Sequence, residues 1–372
     1  MKPVRVLVVD DSTVIRKIVT DALKEVANIE VVATAAHGRI ALRKIEQLRP
    51  DVVTLDFEMP EMDGLTTLKQ IRRLYPKTQV VMFSSSTKEG AQSTIEALAL
   101  GASDYVQKPT RTRGMDEAKL HIHQELAPRI LQFGVGGPKA PVPQSPASVD
   151  ASPDREATKD VQANSRLPAR VDVISIGSST GGPNALQQII QDLPTNLNVP
   201  IVVVQHMPPV FTRQLAKRLN QLTELDVREA EQGDKLQPGG IWIAPGDYHM
   251  RLRRNANSVA VCIDQSAPEN SCRPAVDVLF RSCATLYGKG NVSVVLTGMG
   301  QDGLLGAKCV REQGGFVIAQ DQSTSVVWGM PRAVTEAGLA DKVLPLERIA
   351  HFLSSHQSVR AAARTQELAP CR

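Results

Sequence analysis

Apolar runs that alternate with helical patterns constrain the fold of this chain more than any other feature. In the first 133 residues, a helical pattern follows each of five runs that have the β-branched and apolar content of buried strands: VRVLVVDD, EVVATAAHG, DVVTLDFEMP, QVVMFSSST and DYVQKP. Helical crossovers of this kind connect parallel strands. The pattern therefore predicts an α/β fold, a doubly wound parallel sheet with helices on both faces.

Polar side chains stand at the carboxyl ends of these predicted strands, where ligands of open parallel sheets collect. From the first strand to the fifth they are Asp10, Asp11, Asp56, Ser84 and Lys108. Converging carboxylates repel one another unless a hard cation lies among them, and oxygen ligands suit Mg²⁺. The sequence therefore predicts a magnesium site. Simple loop capping would explain one such acid, as we expect for Asp63 before Gly64, but it would leave the coincidence of several strand ends unexplained.

Residues 1–133 resemble the receiver domain of two-component response regulators. The resemblance rests on VDD, LDFEMPEMDG, Ser84, Tyr105 and Lys108-Pro109. It implies a flavodoxin-like fold in which Asp56 accepts a phosphoryl group from a histidine kinase. It also implies that Asp10 and Asp11, with Asp56, hold Mg²⁺. By the same resemblance, Ser84 and Lys108 would contact the phosphoryl oxygens, and Tyr105 would be an aromatic side chain that rotates on phosphorylation.

A glycine-rich turn between a strand and a helix opens the second half of the chain. Residues 171–183 are VDVISIGSSTGGP, an apolar run followed by glycines and by a proline that suits the first turn of a helix. One interpretation is a dinucleotide phosphate site. That fold usually places an acidic residue at the end of the next strand, which here ends at Gln205 and His206. The other interpretation is a G-x-S-x-G turn that presents Ser179 as a nucleophile.

Two further residues favour the nucleophile. His206 and Asp302 each follow a strand pattern that gives way to a helical pattern, as Ser179 does, which predicts a second, larger α/β domain with a doubly wound parallel sheet. The carboxyl ends of parallel strands share one edge of such a sheet. Each is weak evidence alone, because a histidine after a strand often only binds a loop and an aspartate before a glycine suits a turn. Together they predict the nucleophile, general base and orienting acid of acyl transfer. The order Ser, His, Asp differs from that of α/β-hydrolases.

Residues 169–353 resemble the catalytic domain of the bacterial chemotaxis protein-glutamate methylesterases, the CheB family. The motifs are IGSSTGGP, QHMPPVFT, IAPGDYHM, RPAVDVLF, LTGMGQDG and VVWGMPRA. The resemblance implies that Ser179 attacks γ-methyl esters of glutamates on chemoreceptor helices, releasing methanol, and that selected glutamines are deamidated by the same route. His206 would move the serine proton while Asp302 holds its ring. No cofactor is implied for this reaction.

Details around the predicted nucleophile leave some assignments open. The family commonly has alanine before the nucleophile, where this chain has Ser178, so two adjacent hydroxyls compete and the central place in G-x-S-x-G favours Ser179. Backbone N–H groups near Thr180 and Met299 are candidates for stabilising the oxyanion. Arg273 resembles a residue that lines the substrate cleft, but a structural ion pair is an alternative.

Residues 134–168 are rich in Pro, Ala, Ser and Gly and predict a flexible linker, while residues 354–372 predict a polar tail. A flexible chain of this length spans roughly 30 Å, so the two domains stay close and a weak interface between them can form and break. We expect the unphosphorylated receiver to cover the strand ends that carry Ser179, His206 and Asp302. Phosphorylation of Asp56 would weaken that interface.

Composition limits the classes of protein to which this chain can belong. The chain has 372 residues, enough for two domains, and a formal net charge of +4, which indicates neither a nucleic-acid partner nor membrane insertion. The start lacks a signal-peptide pattern and no long apolar segment follows, so we expect a cytoplasmic protein with reduced cysteines. The expected partners are a histidine kinase and methylated chemoreceptor helices. The alternatives are a receiver-linked adaptor with an inactive hydrolase fold, a DNA-bound regulator, for which no basic recognition helix is found, and a hydrolase of a different protein.

Overall fold

The computed structural model describes residues 2–85, 87–108, 114–134, 167–255 and 258–355. Most of the predicted linker, 134–168, and of the predicted tail, 354–372, lies outside these residues. Where the margins are described, the last helix before the linker includes Gly134 and the last helix of the second domain ends at Ser354. Each helix thus extends one residue past the predicted boundary, and the domain limits otherwise stay predictions.

The first domain alternates strands and helices as the sequence predicts. A π-helical turn, Ile122–Leu126, joins the last two helices. The elements are β1 (Val4–Val9), α1 (Thr13–Lys24), β2 (Ile29–Ala35), α2 (Gly38–Leu48), β3 (Val52–Asp56), α3 (Gly64–Leu74), β4 (Gln79–Ser84), α4 (Lys88–Ala99), β5 (Asp104–Gln107), α5 (Met115–His121) and α6 (Ala127–Gly134). The parallel sheet has the order β2-β1-β3-β4-β5, which confirms the doubly wound fold.

The second domain is a larger parallel sheet of seven strands, ordered β14-β13-β12-β6-β7-β9-β8, with an antiparallel hairpin, β10-β11, that the sequence patterns did not predict. Its elements are β6 (Val173–Ser178), α7 (Gly182–Asp192), β7 (Ile201–Gln205), α8 (Phe211–Asn220), β8 (Asp226–Glu229), β9 (Gly240–Ile243), β10 (His249–Asn255), β11 (Ser258–Asp264), α9 (Val276–Tyr287), β12 (Asn291–Val295), α10 (Leu304–Glu312), β13 (Phe316–Gln320), α11 (Met330–Glu336), β14 (Lys342–Leu344) and α12 (Leu346–Ser354).

Helices cover both faces of the larger sheet, so its central strands are buried along their whole length. On β6, Ile174 and Ile176 pack with α7, α8 and α12, while the alternate residue Val173 packs with α9, α10 and α11. Each such side chain contributes about 1.5–3 kcal/mol by leaving water. In the ranges that the structure describes, every helix is too short or too polar to span a bilayer.

At strand β6 the order in which the chain adds strands to the sheet reverses. The chain passes from β6 to its neighbour β7 on one side, and later returns to β12 on the other side. A crevice opens at the carboxyl ends of strands at such a switch point, because the following connections leave toward opposite sides. The turns after β6, β7 and β12 therefore converge, and they carry Ser179, His206 and Asp302.

The first domain packs against this same edge of the second. Helix α4 contacts α7 and α8, and the ring of Tyr105 on β5 stacks on that of Phe211 on α8, with centroids 4.9 Å apart and planes 14° from parallel. Thr180 Oγ1 donates a hydrogen bond of 3.0 Å to Asp104 Oδ2. The interface therefore combines apolar stacking with a polar contact one residue from Ser179.

Candidate active site and phosphorylation site

The turn after β6 separates the roles of two adjacent serines. Ser178 is buried, and its Oγ donates to Gln205 Oε1 at 2.7 Å. Ser179 is half-buried and lines the cavity described below, while its backbone N–H donates to Thr297 O at 3.0 Å. The environment of Ser178 is therefore structural, and Ser179 is the accessible hydroxyl of the two.

Gln205 connects the two strand ends, although no sequence pattern singled it out. Its Nε2 donates to Ser179 O at 2.9 Å and to His206 O at 3.1 Å. The Gln205 side chain also explains the glycine at position 182 on the turn after β6. A Cβ on Gly182 would lie 2.0 Å from Gln205 Oε1, so there is no room for a larger residue. The only signal in the sequence was the paired glycines of the turn.

His206 and Asp302 form the pair that the sequence predicts. His206 Nε2 lies 2.7 Å from Asp302 Oδ2, and the neighbouring carboxylate makes this nitrogen the donor. The other ring nitrogen, Nδ1, lies 3.5 Å from Cys272 Sγ. Among the described residues, no hydrogen bond joins Ser179 Oγ to His206. The structure thus brings the predicted acid and base into contact, and Ser179 lines the same cavity as His206.

The start of α9 holds Asp302. Asp302 Oδ2 accepts from Val276 N at 2.6 Å, and Oδ1 accepts from Asp277 N at 3.1 Å and from Asn270 Nδ2 at 2.9 Å. These free N–H groups at a helix N-terminus favour a negative charge. Burial by itself would raise the pKa of Asp302, but the hydrogen bonds from His206 and from the backbone hold it below its ordinary value.

The pKa of His206 moves in the opposite direction. Burial by itself would lower this pKa, since it disfavours the imidazolium. The hydrogen bonds to Asp302 and Cys272 outweigh burial and raise the pKa of His206 above its ordinary value. The site therefore stabilises the protonated ring, which is the form a general base reaches after it accepts a proton.

A cavity of about 590 Å³ contains Ser179 and His206, and we call it the active-site cavity. Its wall on one side belongs to the first domain and includes Asp104, Glu125 and Arg129. The receiver-like domain therefore closes the cavity from one side.

Backbone groups and an arginine complete the cavity wall. Thr180 and Met299 both line it, and neither backbone N–H donates a hydrogen bond within the part of the chain that the structure describes. The oxyanion assignment stays a prediction that this geometry supports. Arg273 also lines the cavity, but its Nη2 is 2.6 Å from Asp247 Oδ1, so the ion-pair alternative is realised as well.

The acidic cluster of the first domain fits a divalent cation. Carboxylate oxygens of Asp10, Asp11 and Asp56 all lie within 4.8 Å of one another. Burial, followed by the charge of Asp10, raises the pKa of Asp56 to about 6, although Lys108 Nζ lies 2.7 Å from its Oδ2. Burial likewise raises the pKa of Asp10. One lysine leaves excess negative charge at the cluster, and an Mg²⁺ ion with oxygen ligands would neutralise it.

Ser84 stands apart from this cluster in the structure. Its Oγ is buried and lies within hydrogen-bonding distance of Gly90 O, at 3.1 Å, and Thr94 Oγ1, at 2.8 Å. The cleft of about 190 Å³ beside Asp56 is lined by Ser85, with Lys108, and not by Ser84. Phosphoryl contact by Ser84 stays a prediction and requires the Ser84 side chain to rotate toward Asp56. The sequence patterns did not indicate Ser85 as a candidate.

A receiver joined to an α/β domain that carries Ser, His and Asp at one sheet edge defines a receiver-linked hydrolase. The family model described as CheB methylesterase matches residues 174–353, and the response regulator receiver domain model matches residues 6–119. Together with the relatives below, these matches show that the chain belongs to the CheB methylesterase family. The alternative of a DNA-bound regulator is not supported.

Relatives match over nearly the whole chain. A protein-glutamate methylesterase/protein-glutamine glutaminase of Trichodesmium erythraeum is 47% identical over 350 residues, covering 94% of this chain and 98% of the relative. Another of that name, from Nocardioides, is 50% identical over 346 residues and covers 93% of each. The crystal structure of the Thermotoga maritima CheB methylesterase catalytic domain is 49% identical, covers 50% of this chain and 98% of that chain, and has a TM-score of 0.49.

Proposed function

We propose that this protein is a phosphorylation-activated protein-glutamate methylesterase and protein-glutamine glutaminase, whose substrates are methylated glutamates and selected glutamines of chemoreceptors. The observation that carries the proposal is the 2.7 Å contact of His206 with Asp302, together with the position of His206 and Ser179 on the wall of one cavity. Relatives that bear this name match more than nine-tenths of the chain, which favours an active enzyme over an inactive adaptor.

Ser179 is the nucleophile in the proposed reaction. Its Oγ attacks the ester carbonyl carbon while His206 accepts the serine proton at Nδ1, because Nε2 is engaged by Asp302. The ionised Asp302 stabilises the imidazolium that forms and keeps the ring in one orientation. The N–H groups of Thr180 and Met299 bind the oxygen that becomes negative in the tetrahedral intermediate.

The remaining steps return the enzyme to its starting state. The imidazolium of His206 gives its proton to the leaving methoxide, so that methanol departs and Ser179 is acylated by the glutamyl group. A water molecule then gives a proton to His206 and attacks the acyl carbon. The imidazolium of His206 returns this proton to the departing Ser179 Oγ, which releases free glutamate and restores the serine hydroxyl. A glutamine side chain follows the same course, with ammonia as the leaving group.

Control by the receiver follows from its position over the cavity. Receiver residues line one side, so a receptor helix about 10 Å wide meets the docked domain before it reaches Ser179. Phosphorylation replaces the single negative charge of ionised Asp56 with about two negative charges beside Lys108. We propose that the resulting shift of Ser84 and Tyr105 weakens the stacking on Phe211, which opens the cavity.

The phosphodonor proposed here is the histidine kinase of a chemosensory pathway. Asp10, Asp11 and Asp56 would hold Mg²⁺, which supplies charge neutralisation for phosphoryl transfer when bound. The position of Lys108 Nζ, 2.9 Å from Asp10 and 2.7 Å from Asp56, supports its proposed contact with a phosphoryl oxygen on Asp56. Ionised Asp56 is the attacking group.

Release of methanol from methyl-labelled receptor membranes tests the proposed chemistry. We expect Ser179→Ala to lower the rate by at least about 10³-fold, because the nucleophile is lost. Ser178→Ala is the matched control, since it removes the adjacent hydroxyl, and it should retain most of the activity. Equal rates for Ser179→Ala and wild type would reject the serine mechanism and favour an adaptor.

A further inference from the structure

A second nucleophilic side chain lies against the imidazole of His206. Cys272 Sγ is 3.5 Å from Nδ1, and Nε2 of the same ring is 2.7 Å from Asp302. Thiol, imidazole and carboxylate therefore stand in series, the arrangement in which proteins activate a cysteine. The predicted serine triad does not use this thiol.

The loop before α9 fixes the position of the thiol. Cys272 N donates to Glu269 O at 2.8 Å, and Glu269 N donates back to Cys272 O at 3.1 Å. The two residues between them, Asn270 and Ser271, have φ values of 52° and 61°, a left-handed turn that closes the loop tightly. Asn270 is also tied to Asp302, so the thiol and the carboxylate share one support.

Access to the cavity and contact with a histidine distinguish Cys272 from the other described cysteines. It is partly exposed and lines the active-site cavity. Cys283 is fully buried, and burial raises the pKa of its thiol to about 12, so it is inert at neutral pH. Cys262 and Cys309 are partly exposed, but among the described cysteines only Cys272 is hydrogen-bonded to a histidine.

We propose that Cys272 is a modification site, at which peroxides and other small thiol-directed electrophiles inactivate the hydrolase by capping the thiol beside His206. This inference rests on the proposed function for its effect on activity, but the reactivity of Cys272 does not depend on it. His206 Nδ1, 3.5 Å from Cys272 Sγ, is placed to accept the proton that the thiol gives up when it attacks an electrophile.

The oxidation step balances with hydrogen peroxide as the oxidant. The thiolate attacks one peroxide oxygen, an S–O bond forms and the O–O bond breaks, and the departing hydroxide takes the proton of the imidazolium to become water. Sulfur loses two electrons and the peroxide gains them. The product is a sulfenic acid beside neutral His206, and two equivalents of an added thiol reduce it back to the thiol and a disulfide of the reductant.

Modification of Cys272 stops acyl transfer because the oxygen or other group added to its sulfur occupies the space in front of His206 Nδ1. In the proposed reaction, that nitrogen must accept the proton of Ser179. The receiver forms part of the cavity wall, so the rate of modification also reports how often the cavity opens. Phosphorylated protein should therefore be modified faster than unphosphorylated protein.

The test uses the full chain, hydrogen peroxide as the oxidant, and dimedone to trap sulfenic acid, with each cysteine quantified by peptide mass spectrometry. We expect Cys272 to be trapped at least about tenfold faster than Cys262, because His206 can accept the proton of the Cys272 thiol as it reacts. Methanol release, measured in parallel, should fall as trapping at Cys272 proceeds, and dithiothreitol added before dimedone should restore it.

Two variants separate this site from general damage. Cys272→Ser keeps a small hydrogen-bonding side chain but cannot form a sulfenic acid, so peroxide should leave its own starting activity unchanged. Cys262→Ser should lose activity as fast as wild type. Equal trapping of Cys272 and Cys262 would overturn the proposal whatever the activity of the enzyme. Equal inactivation of wild type and Cys272→Ser would also overturn it, while absence of methanol release with selective trapping would reject only the proposed function.

Discussion

At the scale of single residues, the site depends on the carboxylate of Asp302, which is kept ionised and oriented toward His206. Asp302 accepts hydrogen bonds from His206, from two backbone N–H groups of α9 and from Asn270, and these offset the cost of burying its charge. The charge in turn stabilises protonated His206. A histidine that is too weak a base would not take the serine proton, so the interaction of Asp302 with His206 is part of the proposed acyl transfer.

We predict that Asp302→Asn lowers the rate of methanol release by about 10³- to 10⁴-fold, because the ring loses both its orientation and its counter-charge. The variant should also lower the pKa of His206. Activity that rises with pH through this pKa should then reach its plateau at lower pH in the variant. A pH–rate profile of kcat/KM for both proteins measures the shift, and profiles that coincide would contradict the coupling.

The same pair affects folding stability, and its sign follows from the raised pKa. Because folding increases the proton affinity of His206, the stabilisation is fully present below the ordinary value of 6.5. It is lost as pH rises through the higher pKa of the folded state. The difference in free energy of unfolding between wild type and Asp302→Asn should therefore shrink as pH rises above neutrality.

At the scale of elements, the strand-to-helix turn after β6 requires glycine for steric reasons. Gly181 has a φ of 77°, which disfavours other residues, and Gly182 faces the side chain of Gln205. Gln205 ties this turn to the end of β7 through two hydrogen bonds. Displacing it would move the Ser179 and His206 backbones relative to each other, so the turn is a positioning element.

We predict that Gly182→Ala destabilises the protein by about 1–3 kcal/mol, since a Cβ there lies 2.0 Å from Gln205 Oε1 and the side chain must shift. Gly114→Ala is the matched control, because nothing lies within 4 Å of a Cβ at that position. Chemical denaturation measures both. A Gly182→Ala protein as stable and as active as Gly114→Ala would show that the contact with Gln205 is easily relieved.

At the scale of the whole molecule, the sheet edge that carries the proposed reacting groups is also the edge against which the receiver packs. The ring of Tyr105 stacks on that of Phe211, and the hydrogen bond from Thr180 to Asp104 brings the interface within one residue of Ser179. Each 1.4 kcal/mol of docking free energy lowers the open fraction about tenfold, so the proposed inhibition depends exponentially on the stability of the interface. Modest energy from phosphorylation can therefore change the activity considerably.

We predict that a small-molecule phosphodonor with Mg²⁺ raises wild-type methanol release by at least about tenfold and leaves Asp56→Ala unchanged. The reason is that only a phosphoryl group on Asp56 adds charge beside Lys108, 2.7 Å away. Omitting Mg²⁺ is the control for the acidic cluster. Equal stimulation of both proteins would disprove control through Asp56.

The sequence by itself determined both parallel sheets and the strand ends that bear Asp56, Ser179, His206 and Asp302. Buried strands and covering helices leave local periodic patterns, and the carboxyl ends of parallel strands must share an edge. The sequence also indicated which of two serines faces the cavity, through the centre of G-x-S-x-G.

Only the tertiary structure decided which side chains support those ends. Contacts between segments far apart in the chain bring three supporting side chains to the site: Gln205, Asn270 and Cys272. No local sequence pattern predicts these contacts. The structure likewise turned Ser84 toward α4 and put Ser85 at the cleft, because χ rotamers follow packing rather than position in a strand. Secondary structure is encoded locally, whereas the partners of a side chain depend on how distant elements pack.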